Sequence, residues 1–211
     1  MHRIFGLLVL LLPSITLASD NQDEDWLKAL KSDSFDSFMV ADSVALPSSK
    51  KIFIEDVSVS FDKMWLRKFR NETGKRYQQR IQQRYALMLR EHLEESLTAA
   101  RWTLSNGPQQ DALTLSAQFK DLDITGPQQS VKQHMLVRSV GKASIFLEVK
   151  GTDGKAFFTL EDRGDAGGLS GQLFETDPAM NYSMFSKLAD TWASNFVAYL
   201  NITTETVMGQ T

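Results

Sequence analysis

Apolar and polar residues alternate along "KKIFIEDVSVSF", with Phe53, Val57, Val59 and Phe61 on one face and Ile52 and Ile54 on the other. Period-two alternation predicts a strand, and apolar residues on both faces predict an internal one. A connector carrying Trp65 and Phe69 leads to 72–100, where Tyr77, Ile81, Tyr85, Met88, Leu89, Leu93 and Ala100 recur at spacings of three and four. That period is the stripe of an amphipathic helix. Asn106-Gly107-Pro108 breaks the chain after a short "RWTLS" segment.

The alternation resumes in "DALTLSAQFKDLDI", with Leu113, Leu115, Ala117 and Phe119 inward, and slips near Asp121, which predicts a bulge. After a polar loop, "GKASIFLEVK" and "KAFFTLEDR" read as a hairpin turning at Gly151-Thr152-Asp153-Gly154. The glycine-rich "RGDAGGLSGQLFETDP" precedes a last helix, capped by Asp177 with Pro178 at its first turn, or by Asn181. Its stripe is Phe185, Leu188, Trp192, Phe196 and Tyr199, an aromatic surface that must pack on the sheet. The order β-α-β-β-β-α predicts an α+β fold, a mixed sheet of about four to five strands with both helices on one face.

The first eighteen residues follow neither period. Met1-His2-Arg3 precedes the apolar run "IFGLLVLLLPSITLA", which ends on the small residues Thr16 and Ala18. This is the layout of a signal peptide cleaved after Ala18. A membrane anchor would need about twenty apolar residues and different flanks. The chain therefore divides into a signal peptide (1–18), an acidic arm (19–44), one domain (45–200) and a polar tail (201–211). The mature protein is expected in the periplasm of a Gram-negative cell, or secreted. There is no cysteine, which excludes disulfides, a thiol nucleophile and cysteine-ligated metal. Asn71, Asn181 and Asn201 stand in glycosylation sequons, which would matter only in a eukaryotic secretory pathway.

Charge is unevenly spread along a chain of net charge −3. From Lys63 to Arg90 nine cations face the single acid Glu72, giving +8, while 19–42 carries −5. The arm also holds Trp26, Leu27, Leu30, Phe35, Phe38 and Met39, so it is expected to dock on the domain rather than only solvate it. Arg76, Arg80 and Arg84 stand four apart and predict a basic ridge roughly opposite the apolar stripe. With Arg67 they form the candidate binding surface, for an envelope protein or an anionic envelope component. Three fates suit such a ridge: solvation, pairing with the acidic arm, or docking a partner. Nucleic acid is disfavoured by export and by a sequence pI near 5.6.

"KKIFIEDVSVSF", the "GKASIFLEVKGTDGKAFFTLEDRGDAGG" hairpin and the closing "FSKLADTWASNFVAYL" resemble an uncharacterised bacterial envelope family of lipoproteins and exported proteins with a domain of unknown function. The resemblance spans about 45–200 and is most specific at Gly141, Asp153-Gly154 and Asp162-Arg163. It implies an α/β sandwich similar to the amino-terminal domain of the translocation protein TolB. This chain lacks the lipobox cysteine of many members.

Catalytic chemistry finds no convergent set. His92 falls near the apolar stripe and reads as a half-buried core histidine; His134 lies in a polar loop without a carboxylate at metal spacing. "GGLSGQ" fails the nucleophile-elbow pattern, because Gln172 stands where the last glycine is required. Gly164, Gly167, Gly168 and Gly171 serve sharp turns better than phosphate, with no Gly-Lys-Ser/Thr after them. Asp121 and Asp123 are two carboxylates without further ligands. The reading is a non-enzymatic binding or assembly module of the envelope, with no catalytic residue, metal or cofactor. The alternative is a small-molecule binder or hydrolase using loop 164–177 beside His134 and Asp162.

Overall fold

The structure, a computed structural model, describes residues 27–29, 32–41, 45–47, 49–126, 135–167 and 173–208. The hydrophobic leader, the cleavage position, His134, Gly168 and Gly171 lie outside the described residues. The fold is α+β. In chain order the strands are β1 (Leu27–Ala29), β2 (Ser37–Ala41), β3 (Lys51–Ile54), β4 (Ser58–Phe61), β5 (Thr103–Ser105), β6 (Leu113–Ile124), β7 (Met135–Val137), β8 (Ser139–Lys150), β9 (Ala156–Gly167) and β10 (Phe174–Thr176). The helices are α1 (Lys63–Lys68), α2 (Lys75–Ala99) and α3 (Pro178–Met208).

The main sheet has eight strands in the order β1-β2-β9-β8-β6-β3-β5, and β4 also pairs with β6. It is wider than the four to five strands the alternation predicts, because two contributors are too short or too polar to show in the pattern. One is the arm: β2 runs antiparallel to β9, pairing Phe38 with Leu160, and β1 pairs with β2. Phe35 and Phe38 are buried, and both meet Tyr199 edge-on at 5.5 and 4.9 Å. The other is "RWTLS", whose Thr103–Ser105 becomes the parallel edge strand β5.

The predicted strand "KKIFIEDVSVSF" is divided. β3 pairs Ile54 with Leu115 and β4 pairs Ser58 with Gln118, both parallel to the same side of β6. Four residues on this side span three on β6, so one extra residue reverses the facing of the side chains. Ile52 and Ile54 are buried in β3 and Phe61 in β4, all toward the same core. The two apolar phases are therefore one face before and after a slip, not two buried faces.

β6 slips where the alternation slips: its register to β8 shifts between Lys120 and Asp123, and Asp121 has φ 52°. Opposite this bulge stands Gly141 at φ 141°, where a Cβ would lie 1.8 Å from the Asp123 carbonyl oxygen. Only glycine permits that approach. The hairpin of β8 and β9 pairs Leu147 with Leu160 and Val149 with Phe158.

Both long helices cover one face of the sheet. Phe119 of β6 lies edge-on to Tyr85 of α2 at 6.0 Å and to Trp192 of α3 at 5.7 Å. α2 buries Tyr85, Met88, Leu89, Leu93 and Leu97, adding Leu97 to the stripe, while Ile81 and Ala100 are partly buried against the core. Asp177 caps α3, its Oδ1 accepting from the Ala179 and Met180 amides at 2.8 and 2.7 Å. The helix does not stop at Leu200 but runs on through the predicted polar tail to Met208. Thr203, Thr204 and Thr206 donate their hydroxyls to carbonyls four residues back, so these side chains find partners within the helix itself.

Trp192 is 1% exposed, and its Nε1 donates to Asp162 at 2.6 Å. Trp192→Ala is expected to lower unfolding free energy by about 3–5 kcal/mol in urea titrations. Gly141→Ala should cost about 2 kcal/mol or more, while Gly107→Ala, with open space at its Cβ, should stay within about 0.5 kcal/mol. Equal losses for the two glycines would contradict the close approach at Asp123.

Candidate functional site

The cations of the opening block are set by two helix starts. Asp62 begins α1, its Oδ1 accepting from Met64 and Trp65 amides at 2.8 and 2.9 Å. Trp65 stacks on Phe61 with centroids 4.5 Å apart, and its Nε1 donates to the Ile124 carbonyl at 2.8 Å. This turns the expected connector into an anchored helix, with Arg67 and Lys68 exposed in its last turn. α2 begins after Gly74 with no side-chain cap and no acid in its first turn. Lys75 and Arg76 thus sit against the positive end of the helix dipole.

The ridge is not wholly opposite the apolar stripe. Each step of four residues advances about 40° beyond a full turn, so a row of such positions winds around the helix. Arg76 is exposed. Arg80 lies over the Tyr77 ring at 5.5 Å, and Arg84 reaches 3.9 Å from the ring centre of Tyr182 on α3. Burial raises the Tyr77 hydroxyl pKa, against the opposing pull of Arg80 and Arg84. Among the described residues no carboxylate lies within ion-pair distance of Arg67, Arg76, Arg80 or Arg84. Elsewhere pairing is common: Lys51 lies 3.5 Å from Asp111, Arg90 2.7 Å from Glu94 and Lys120 2.8 Å from Glu161.

The described acids of the arm do not reach the ridge. Asp36 accepts from the Arg163 amide on β9 at 3.1 Å, and Ser32 donates to the Tyr199 hydroxyl at 2.8 Å. Both contacts belong to the β9 edge and the carboxyl-terminal half of α3. α2 is tied to the other side, where Gln82 Nε2 donates to the Val59 carbonyl of β4 at 2.8 Å.

The alternative site loses two of its residues to the core. The Asp162 carboxylate accepts from the Trp192 indole. Gly164 lies under α3, where a Cβ would come within 2.5 Å of Leu188 and 2.9 Å of Trp192. His92 is half-buried between the long helices, its Nε2 2.7 Å from Ser186 Oγ and its Nδ1 3.6 Å from Asp190. Asn181 is buried with its side-chain amide nitrogen donating to the Thr125 carbonyl, and the Asn201 Oδ1 accepts from the Trp102 indole. Among the described residues no group of three or more His, Asp or Glu is arranged to hold a metal ion, and no helix is long and apolar enough to cross a membrane.

One feature was not legible in the sequence. A cleft of about 420 Å³ opens between α1 and the end of β6, lined by Met64, Trp65, Arg67, Lys68 and Asp123. Asp121 is exposed on the bulge, whereas Asp123 is half-buried. Burial raises the Asp123 pKa; Lys142 opposes the rise, Asp62 adds to it and Lys68 opposes it. The only signal in the chain was the slip at Asp121, which locates a bulge but not what packs against it.

No family model matches the chain, and no curated protein matches it in sequence. Among solved structures, protein XCC0632 from Xanthomonas campestris, of family DUF330, is similar over 82% of this chain and 97% of that one, at 10% identity and a TM-score of 0.47. A PelC dodecamer from Paraburkholderia phytofirmans covers 73% of this chain and 94% of its own, at 12% identity and 0.37. A minor lipoprotein from Acinetobacter baumannii covers 78% and 95%, at 14% identity and 0.33. Likeness of this order assigns neither family nor function to the chain.

The ridge members should separate by stability. Arg84→Ala removes a cation from an aromatic face and is expected to cost about 0.5–1 kcal/mol. Arg76→Glu should stabilise by about 0.3–1 kcal/mol, because it places an acid at a helix start. Thermal melts at low salt measure both, and a loss at Arg76 matching that at Arg84 would mean the ridge is misplaced.

Proposed function

We propose that the mature chain is an exported, periplasmic, non-enzymatic binding or assembly module of the bacterial envelope, and that the surface of α1 and early α2 meets an anionic partner. One observation carries the reading: Arg67, Arg76 and Arg80 are exposed and unpaired among the described residues, in a protein that pairs cations elsewhere. Like charges at four-residue spacing and cations at a helix start both oppose folding slightly. A partner bearing negative charge offsets that cost only when bound, which makes the surface a docking feature. Export is supported by the signal-like start of the chain and by the resemblance to envelope proteins.

Among the described residues of the arm, Asp36 sits at the far edge of the sheet and Phe35 and Phe38 are core, which favours a partner outside the chain as the ridge's counter-charge. Removing 19–42 would take out Phe35 and Phe38, so the expected result is destabilisation rather than an unmasked ridge. Arg76→Glu/Arg80→Glu leaves the Arg84 contact intact and is the cleaner variant.

Two measurements test the proposal. The purified mature protein should bind vesicles containing phosphatidylglycerol more than neutral ones, or else capture a defined envelope protein confirmed with purified components. In either case the double variant should lose binding without any fall in melting temperature. Binding should weaken steeply with salt, since exposed charges are screened over about 8 Å at physiological ionic strength. Equal binding by both proteins would leave the ridge a solvated helix face.

A further inference from the structure

We infer that the cleft between α1 and the end of β6 is a binding site for a tetrahedral oxyanion, a phosphate or sulfate group, held by Arg67 and Lys68 beside the Asp123 carboxyl. The inference rests on reading the α1–α2 surface as a binding face, and it names the chemistry that one part of that face recognises.

The walls are fixed before any ligand arrives. α1 is pinned from both ends of its first turn, by the Asp62 cap and by the Trp65 indole on the Ile124 carbonyl. The Asp62 amide also donates to the Leu122 carbonyl at 3.1 Å, so the helix start is bonded to the same strand that carries Asp123. On the other side the bulge at Asp121 and the close approach of Gly141 set the direction in which Asp123 leaves β6. A rigid cleft of about 420 Å³ has room for an oxyanion and part of the group that bears it. Met64, 58% exposed, forms an apolar lip rather than a core contact.

The charges suit an anion with spare oxygens. Arg67 has a planar fork that matches two oxygens of a tetrahedral group, and Lys68 adds a mobile cation, here 4.9 Å from the Phe69 ring centre. Neither has an ion-pair partner among the described residues. Asp62 faces the cleft region but its Oδ1 is committed to the cap. Asp123 would repel an anion if ionised, and burial works against that form; Lys142 and Lys68 pull it the other way, and Asp62 reinforces burial. Protonated, the carboxyl donates a hydrogen bond to an oxyanion oxygen and leaves Arg67 and Lys68 unopposed. The sign follows. An anion favours the protonated carboxyl, so binding takes up a proton and weakens as pH rises through the Asp123 pKa. The same raised pKa means Asp123 favours folding at pH below the ordinary carboxylate range and opposes it above the folded value.

Sulfate is the suitable probe, because it stays doubly charged between about pH 4 and about pH 8 and any pH dependence then belongs to the protein. Amide shifts in proton–nitrogen spectra should saturate on sulfate addition at 64–68 and at Asp123. Arg67→Glu/Lys68→Glu should lower affinity about tenfold or more. Asp123→Asn, isosteric and unable to ionise, should keep binding and lose most of its pH dependence; it also tests the site without disturbing α1. Vesicles of phosphatidylglycerol distinguish the sources. Binding lost in the Arg67/Lys68 variant assigns the oxyanion to a lipid headgroup, and unchanged vesicle binding with lost sulfate binding assigns it to a soluble ligand. Non-saturating shifts, shifts unaffected by the double variant, or an Asp123→Asn profile identical to that of the parent would overturn the inference. Those outcomes leave the Arg76 and Arg80 surface untouched, so the two readings fail separately.

Discussion

Phe119 is the contact on which the arrangement depends. It projects from the middle of β6, the strand that has parallel partners on one side and an antiparallel partner on the other. Tyr85 of α2, Phe185 of α3 and Trp192 of α3 all meet its ring, at 6.0, 6.3 and 5.7 Å between centres. One side chain therefore fixes both helices on the sheet and fixes them against each other. Aromatic pairs in edge-on geometry add about 0.5–1.5 kcal/mol each to the burial term, so losing this ring would loosen three elements at once. The Trp192 indole closes the arrangement from above by finding an acceptor in Asp162. An inward carboxylate is otherwise costly in such a face, and here it satisfies the one polar atom that a large aromatic brings with it.

The same strand explains where the chain departs from regular alternation. β6 carries a bulge at Asp121, and its parallel partner is broken into β3 and β4 by an extra residue. The first is in the register with β8 and the second is on the opposite edge of β6. Phe61 and Leu122 remain buried after each slip, and the Trp65 indole donates to the Ile124 carbonyl just beyond them. Gly141 permits the close pairing at the bulge, because a side chain there would collide with the backbone of Asp123.

How much of this was legible depends on the range of the interaction. The hairpin of β8 and β9, the α2 and α3 stripes, the Asp177 cap and the bulge at Asp121 all leave local periodic marks, and the sequence shows them. The edge strands leave none. Residues 103–105 are too few for a period to show, and the arm's Phe35 and Phe38 join the core only because β9 offers an unpaired edge. Among candidate residues, the exposure of Arg76 and Arg80 follows from helix spacing, but the stacking of Arg84 on Tyr182 does not, since it joins positions 98 residues apart on separate helices. Asp162 stood as a candidate of the alternative site for the same reason: its partner, Trp192, comes from another element. The cleft at Asp123 needed two distant segments to assemble and had no signature beyond one break in alternation.

Placement of charge across the sheet then bears on how the protein meets its surroundings. β2 and β4 are separated by β9, β8 and β6, four strand spacings of about 4.8 Å each, or roughly 19 Å. That exceeds the screening length of about 8 Å, so the described acids at the β9 edge weaken the field over α1 and early α2 very little. A chain of net charge −3 can thus present a locally cationic face, and its overall charge is a poor guide to what that face attracts. The face is also held by rigid elements: α1 is bonded to β6, and α2 is bonded to β4 and packed on α3. The backbone under its cations is therefore preorganised, and an approaching anion would have to order only their exposed side chains. Uncompensated charge at a helix start is a small debit to folding but a standing attraction to a partner, and here the debit is small because the packing around Phe119 carries the fold.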